Sequence, residues 1–281
     1  MAFEDQYQQS IVPKYDTLLF DVDDTLYPLS TGFSKEVTKN IQEYMVQKLG
    51  MQENKVAALN QVLYRNYGTS MAGLKAIGYD FDNDDYHSFV HGRLPYEKLK
   101  PDHFLRSLLL SLPVRRVIFS NADEIHVAKT LSKLGLEDCF ESIVCFETIN
   151  PNHKTSTCND QSEVKFGSEM LENFEIGSVL PKTPIVCKPF ENAFEQAFKL
   201  ANINPQRTVF FDDSIRNIQT GKRMGLKTVL VGSSNRVSGA DHVLESIHNL
   251  KEALPELWEA TEKTKTRKYA GKVAIETSVT A

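Results

Sequence analysis

The feature that most constrains the fold is a short apolar run that ends in a cluster of aspartates. Residues Thr17 to Phe20 read TLLF, and Asp21 to Thr25 follow directly as DVDDT. An apolar run of this length, bounded by turn-forming residues, is typical of a buried strand in a parallel sheet. Asp21 and Asp23 would then lie at the carboxyl end of that strand, where open α/β sheets build their sites. Buried carboxylates need a partner, and a hard divalent cation such as Mg²⁺ would supply one.

Three further apolar runs end in polar residues that suit a phosphate or a metal. They are Val114 to Phe119 before Ser120-Asn121, Pro184 to Cys187 before Lys188, and Thr208 to Phe211 before Asp212-Asp213. Taken alone, the first aspartate cluster could be a solvated turn, because Asp favours turns through local hydrogen bonds. Four such strand ends in one chain favour a site at the carboxyl edge of a parallel sheet.

The segments between these runs predict an α/β fold with an inserted helical domain. From Ser34 to Asp102 the apolar residues recur at helix spacing and no good strand is present, whereas strands and helices alternate after Pro113. We therefore expect a Rossmann-like parallel sheet flanked by helices, formed by residues 14–29 and 103–250, and an all-helical cap over residues 30–102. Residues 150–182 are polar and predict a surface insertion, and residues 251–281 predict a C-terminal tail.

The order of the strand-end residues (Asp, hydroxyl, Lys, paired Asp) resembles the four motifs of the haloacid dehalogenase-like superfamily. The resemblance spans about Tyr15 to Ser246, which is most of the chain. The stretches DVDDTLY from Asp21, NYGTSMAGL from Asn66 and FDDS from Phe211 are similar to the pyrimidine 5′-nucleotidase branch found in fungi and plants. This resemblance implies a Mg²⁺-dependent phosphate monoester hydrolase, and more narrowly a nucleoside 5′-monophosphatase.

The resemblance also implies a role for each motif residue. Asp21 is the expected nucleophile that forms an aspartyl-phosphate, and Asp23 is the expected general acid and base. An acid at the position of Asp23 argues for a phosphatase or phosphomutase rather than a dehalogenase. Lys188 would pair with Asp21 and with the phosphate, which Ser120 and Asn121 would also bind. The expected ligands of Mg²⁺ are the Asp21 carboxylate, the Asp23 main-chain carbonyl and the Asp213 carboxylate, with Asp212 acting through water or from behind.

Substrate choice must come from the cap. The candidates surround the NYG stretch and are Tyr64, Arg65, Asn66, Tyr67 and Ser70. An aromatic ring among them could stack on a base, but Tyr64 and Tyr67 fit the packed face of a helix equally well. Two other functions stay open: a phosphatase of another small metabolite, such as a sugar or cofactor phosphate, and a catalytically silent regulatory protein with the same fold.

Composition excludes several other classes of protein. The chain has 281 residues, of which 41% are hydrophobic and 25% charged, and its net charge of −5 argues against binding to a nucleic-acid backbone. It contains no apolar run long enough to span a membrane and no apparent secretory signal, so we expect a cytoplasmic protein, although a nuclear one is not excluded. The four cysteines lack zinc-site spacing, and the seven histidines form no metal-like pair and receive no role. The sequence does not determine the oligomeric state.

Overall fold

The computed structural model describes residues 14–151 and 180–258 of the chain. Its strands are β1 (Thr17–Phe20), β2 (Arg115–Phe119), β3 (Ser142–Val144), β4 (Thr208–Asp212), β5 (Lys227–Val231) and β6 (His242–Leu244). Its helices are α1 (Phe33–Gln47), α2 (Glu53–Tyr67), α3 (Ser70–Ala76), α4 (Asn83–Val90), α5 (His103–Leu110), α6 (Glu124–Leu134), α7 (Phe146–Ile149), α8 (Glu191–Leu200), α9 (Ile215–Arg223) and α10 (Leu250–Ala253). None of these helices is both long and apolar enough to cross a lipid bilayer.

The six strands form one parallel sheet in the order β3-β2-β1-β4-β5-β6, which confirms the predicted fold class. The strand before the aspartate cluster is central, because β1 pairs with β2 on one side and with β4 on the other. Its last residue, Phe20, stands opposite Ile118 and Phe211. The residues that follow these three strands therefore meet at one edge of the sheet.

Both faces of the sheet are covered, which explains why β1 is buried at every position. Leu18 and Phe20 belong to the hydrophobic cluster on one face, and Leu19 belongs to the cluster on the other. Successive side chains of a strand point to opposite faces, so a central parallel strand has no solvent-facing position.

Helices α1 to α4 lie within the range predicted for the cap and form a helical layer around a third hydrophobic cluster. Tyr44 lies at its centre, with the rings of Phe81, Tyr86 and Phe89 packed edge-on at centroid distances of 5.7, 4.9 and 5.3 Å. Such aromatic packing stabilises the layer beyond the area it buries. Phe146, Ile185 and Cys187 from outside the layer also belong to this cluster, so the layer packs against the segments beside the edge of the sheet.

The predicted strand at Pro184 to Cys187 is wrong, since this segment pairs with no strand of the sheet. Two asparagine side chains take the place of a neighbouring strand. Asn150 accepts a hydrogen bond from the Val186 N–H at 2.9 Å and donates one to the Val186 carbonyl at 3.1 Å. Asn121 does the same for Lys188, at 2.8 and 3.0 Å. An apolar run can thus be extended and paired without joining the sheet.

The predicted tail boundary at residue 251 is also wrong. The chain continues beyond α10 into buried Leu254, Leu257 and Trp258, which belong to the main hydrophobic cluster. The Trp258 indole N–H donates to the Ser111 hydroxyl at 2.9 Å, just beyond α5. The segment contains too few apolar residues for their spacing to predict a helix from the sequence. The remaining tail and most of the predicted insertion, residues 259–281 and 152–179, lie outside the described residues.

Candidate active site

The carboxyl edge of the sheet brings two carboxylates and a main-chain carbonyl together around Lys188. Its Nζ lies 2.8 Å from Asp21 Oδ1, 2.8 Å from Asp212 Oδ2 and 2.7 Å from the Phe119 carbonyl oxygen. An ammonium has three donors, and these three acceptors use all of them. The side chain is only 1% exposed, so Lys188 is held in one place at the ends of β1, β2 and β4.

The charges of this cluster do not balance. Burial would lower the pKa of the Lys188 ammonium, but Asp21 and Asp212 outweigh it and raise that pKa. Burial raises the pKa of Asp21, with Asp212 and Asp23 adding to the effect and Lys188 opposing it. Asp213 is exposed to the cavity, but desolvation by its surroundings, together with Asp212, Asp21 and Asp24, raises its pKa to about 9. With all three carboxyl groups ionised, the site would carry more negative charge than one ammonium neutralises.

A divalent cation fits this surplus of carboxylates. Oxygen atoms of Asp21, Asp212 and Asp213 lie within 4.8 Å of one another. Asp212 is fully occupied, because Lys188 takes one oxygen while the Ser214 N–H and the Asn217 amide bond the other at 2.8 and 2.9 Å. The Asp213 carboxylate makes no hydrogen bond or ion pair to another described residue. Asp21 and Asp213 can thus offer oxygen ligands of the kind that Mg²⁺ prefers. Asp212 lies behind them and contributes its charge and its hydrogen bonds to the residues around the site.

The two residues predicted to bind phosphate after β2 make different contacts. Ser120 is buried with its hydroxyl oxygen 3.1 Å from the Ala122 N–H, so the hydroxyl hydrogen remains available to an oxygen in the cavity. Asn121 uses both ends of its amide on the backbone of Lys188. Its observed contribution is to hold the Lys188 segment against β2, which the sequence prediction missed.

Asp23 is held by two residues that the sequence analysis left out. Its Oδ1 accepts a hydrogen bond from the Tyr27 hydroxyl at 2.6 Å and lies 2.7 Å from His126 Nε2. Burial would raise the pKa of Asp23, but the charge of His126 and these hydrogen bonds outweigh it and hold that pKa below its ordinary value. A histidine in the first turn of α6, six residues after Ser120, was a signal that could have been used.

The predicted cap residues divide into two groups. A cavity of about 620 Å³ lies between the cap and the sheet edge, and Tyr64 and Ser70 line it together with Asp21 and Asp23. Arg65, Asn66 and Tyr67 do not line it. Tyr67 packs inside the cap, so the alternative of a packed helix face is correct for this residue.

Arg216 of α9 ties the cap to the sheet edge beside this cavity. It donates to the main-chain carbonyls of Tyr64 and Arg65 at 3.1 and 2.8 Å, and its guanidinium lies 4.4 Å from the centroid of the Tyr64 ring. The carbonyls at the end of α2 lack partners within the helix, and a cation there is favourable. Arg65 thus contributes its backbone to the contact between cap and core.

The glycine of the NYG stretch allows the cap to touch the Lys188 segment. Gly68 has a φ of +83°, and a Cβ built on it would lie 2.4 Å from the Lys188 carbonyl oxygen and 2.8 Å from Pro189 Cδ. Only glycine permits both this backbone conformation and this approach. Nearby, burial raises the pKa of the Cys187 thiol to about 11, so the adjacent Lys188 does not activate it.

Comparisons with known proteins agree with this geometry. A family model described as haloacid dehalogenase-like hydrolase matches residues 15–225. "Phosphate metabolism protein 8" of Saccharomyces cerevisiae is 25% identical over 227 residues, which are 78% of this chain and 62% of that protein. A HAD phosphatase from Thermococcus onnurineus superposes with a TM-score of 0.52 at 15% identity, over 84% of this chain and 96% of its own, and this likeness shows the fold.

Proposed function

This chain belongs to the haloacid dehalogenase-like hydrolases, and from its site we propose that it is a Mg²⁺-dependent phosphate monoester hydrolase. The observation that carries the proposal is the position of Lys188, within 2.8 Å of both Asp21 and Asp212. Asp23 follows two residues beyond Asp21, and both line the cavity. A nucleophile, a fixed cation and a second carboxyl group are the parts that hydrolysis of a phosphate monoester requires.

In the proposed reaction an Asp21 oxygen attacks the phosphorus, and the ester P–O bond breaks. Asp23 is ionised in the free site, because His126 and Tyr27 lower its pKa, so it must first take up a proton, which a monoanionic phosphate ester can bring. Asp23 then gives this proton to the leaving oxygen, so that an alcohol departs. Asp23 then takes a proton from water as that water attacks the phosphorus. This second step releases inorganic phosphate and restores the Asp21 carboxylate. Lys188 stabilises the charge on Asp21 and on the phosphoryl oxygens in both steps, while Ser120 donates a hydrogen bond to the phosphoryl group.

Asp21, Asp213 and the Asp23 carbonyl are the residues proposed to hold Mg²⁺. When bound, the cation would offset the repulsion between the phosphate and this carboxylate cluster.

The proposed substrate is a nucleoside 5′-monophosphate, with a pyrimidine base as the first choice. The cavity of about 620 Å³ falls in the range of small-molecule sites, about 300–1,000 Å³. Asn60 and Tyr64 both line it, and they lie one turn apart on α2. The Asn60 amide oxygen is buried without a hydrogen-bond partner among the described residues, so it could accept from the edge of a base. The second candidate is a sugar or cofactor phosphate, which would use the same reactive groups.

The test is a panel of phosphate monoesters with Mg²⁺, assayed for phosphate release. The wild-type protein is expected to act on UMP and CMP, and Asp21→Asn is expected to fold but to lose all turnover, because an amide cannot form the acyl-phosphate. Near-full turnover of Asp21→Asn would overturn the assignment. Better turnover of sugar phosphates than of UMP and CMP would reject the nucleotidase proposal and keep the phosphatase one.

A matched pair of tyrosine variants tests base recognition. Tyr64→Ala is expected to raise the KM for UMP by about tenfold, in line with a stacking contact of about 1–3 kcal/mol, and to leave the KM for p-nitrophenyl phosphate almost unchanged. Tyr67→Phe is the control, because the Tyr67 hydroxyl is buried without a hydrogen-bond partner in the described parts of the chain. Equal effects of Tyr64→Ala on both substrates would mean that Tyr64 reads no base.

A further inference from the structure

We infer that His126 is a positioning residue: it holds one oxygen of Asp23 so that the other faces the leaving oxygen of the substrate. The inference rests on the proposed function, in which Asp23 is the acid and base, and adds a residue to it. Both hydrogen bonds to the Asp23 carboxyl, from Tyr27 at 2.6 Å and from His126 at 2.7 Å, fall on Oδ1. None of the described residues forms a hydrogen bond to the other oxygen, Oδ2. The side chain is 38% exposed, so its unbonded oxygen has access to the cavity.

The contacts of His126 favour the donor form of the nitrogen that faces Asp23. Its other ring nitrogen, Nδ1, lies 2.8 Å from the Tyr96 hydroxyl. When Nδ1 accepts from this hydroxyl, the ring hydrogen is on Nε2 and points at Asp23. When the Tyr96 hydroxyl instead donates to the His91 carbonyl at 3.2 Å, Nδ1 carries a hydrogen and Nε2 can still carry one. In the first arrangement a neutral ring donates to Asp23 through Nε2, whereas in the second it does so only as the doubly protonated imidazolium.

His126 is itself fixed and does not reach the substrate. It is 1% exposed and is absent from the residues that line the cavity. Its backbone N–H donates to Asp123 Oδ1 at 3.0 Å, and its ring lies 4.5 Å from the ring of His91. The other oxygen of Asp123 bonds His91 at the end of α4. The backbone N–H, the ring face and Nδ1 of His126 are thus all in contact with other residues of the protein. Only Nε2 points towards the site, so His126 can affect the reaction only through Asp23.

This position predicts an effect that depends on the leaving group. An alkoxide departs only with a proton, whereas p-nitrophenolate departs without one. Misplacing Asp23 should therefore slow the cleavage of benzyl phosphate and spare the cleavage of p-nitrophenyl phosphate, a compound of similar size. The quantity to compare is kcat/KM, because it covers the steps up to the aspartyl-phosphate and leaves out its later hydrolysis.

Two amide variants of different length form the matched pair. In His126→Gln the amide nitrogen can take the place of Nε2 and donate to Asp23. In His126→Asn it takes the place of Nδ1 and falls short. His126→Asn is expected to lower kcat/KM for benzyl phosphate about 30- to 100-fold, the size of loss caused by a displacement of about 1 Å, and that for p-nitrophenyl phosphate less than about threefold. His126→Gln is expected to restore most of the benzyl phosphate activity.

The outcomes separate this inference from the proposed function. A wild-type protein that cleaves neither compound with Mg²⁺ would overturn both. A wild-type protein that cleaves both, with equal losses on both in His126→Asn, would overturn the positioning role alone. In the Asp23→Asn background, His126→Asn should add less than about twofold, and a full additional loss would also overturn it. If His126→Asn does not fold, His126→Met supplies the same comparison without a donor.

Discussion

The contact between Gly68 and the Lys188 segment leads to a prediction whose size can be worked out. Gly68→Ala places a methyl group 2.4 Å from the Lys188 carbonyl oxygen and 2.8 Å from Pro189 Cδ. Both are far inside van der Waals contact, and the first neighbour is backbone that cannot rotate away. The cap and the Lys188 segment must therefore move apart, or the alanine must leave its positive φ.

Two costs add in this variant. A non-glycine residue with left-handed backbone geometry costs about 1–2 kcal/mol, and forcing one extra carbon into a packed contact costs about 1–3 kcal/mol. The free energy of unfolding should fall by about 2–5 kcal/mol, which lowers the Tm by about 5–15 °C in a domain of this size. Gly50→Ala is the matched control, because Gly50 has a φ of +68° but nothing within 4 Å of an added Cβ. It should show only the first cost.

The assay is thermal unfolding of both variants beside the wild type, together with phosphate release. Gly68→Ala should also lower kcat by about tenfold or more, since a shift of about 1 Å in a catalytic group has effects of this order, and Lys188 Nζ contacts Asp21. Gly50→Ala should keep its activity. Equal Tm losses in the two variants, with full activity in both, would refute the argument that the cap presses on the Lys188 segment through Gly68.

Two other predictions follow from burial and charge. Leu254→Ala should destabilise the protein by about 2–5 kcal/mol, because Leu254 is fully buried although it lies beyond the predicted tail boundary. Leu200→Ala is the control and should change stability by less than about 0.5 kcal/mol, because Leu200 is 53% exposed. Equal, small effects of the two substitutions would mean that the segment around Leu254 lies in solvent. Mg²⁺ at saturating concentration should raise the Tm of the wild type, because a ligand that binds only the folded state stabilises it, and should restore activity after chelation. Asp213→Asn should weaken both responses. An unchanged Mg²⁺ response in this variant would show that Asp213 does not bind the metal.

The strand-end motifs were sufficient to predict the core of the site. An apolar run and the polar residue after it are neighbours in the chain, so a central parallel strand and its carboxyl end can be identified locally. Because all parallel strands end at the same edge, Asp21, Ser120 and Asp212 could be placed together before any contact was known. The helical period of residues 34–102 similarly predicted a cap.

Contacts between distant segments decided the rest. Lys188 reaches Asp21 from a segment that is not a strand and that two asparagine side chains hold in place. His126 reaches Asp23 from a helix 103 residues further along the chain. Tyr67 turned into the cap while Tyr64 turned towards the cavity, although both lie on one short helix. A residue's pattern tells which face of an element is apolar, but not which other element covers that face. That choice depends on packing across the whole chain, and only the tertiary structure determines it.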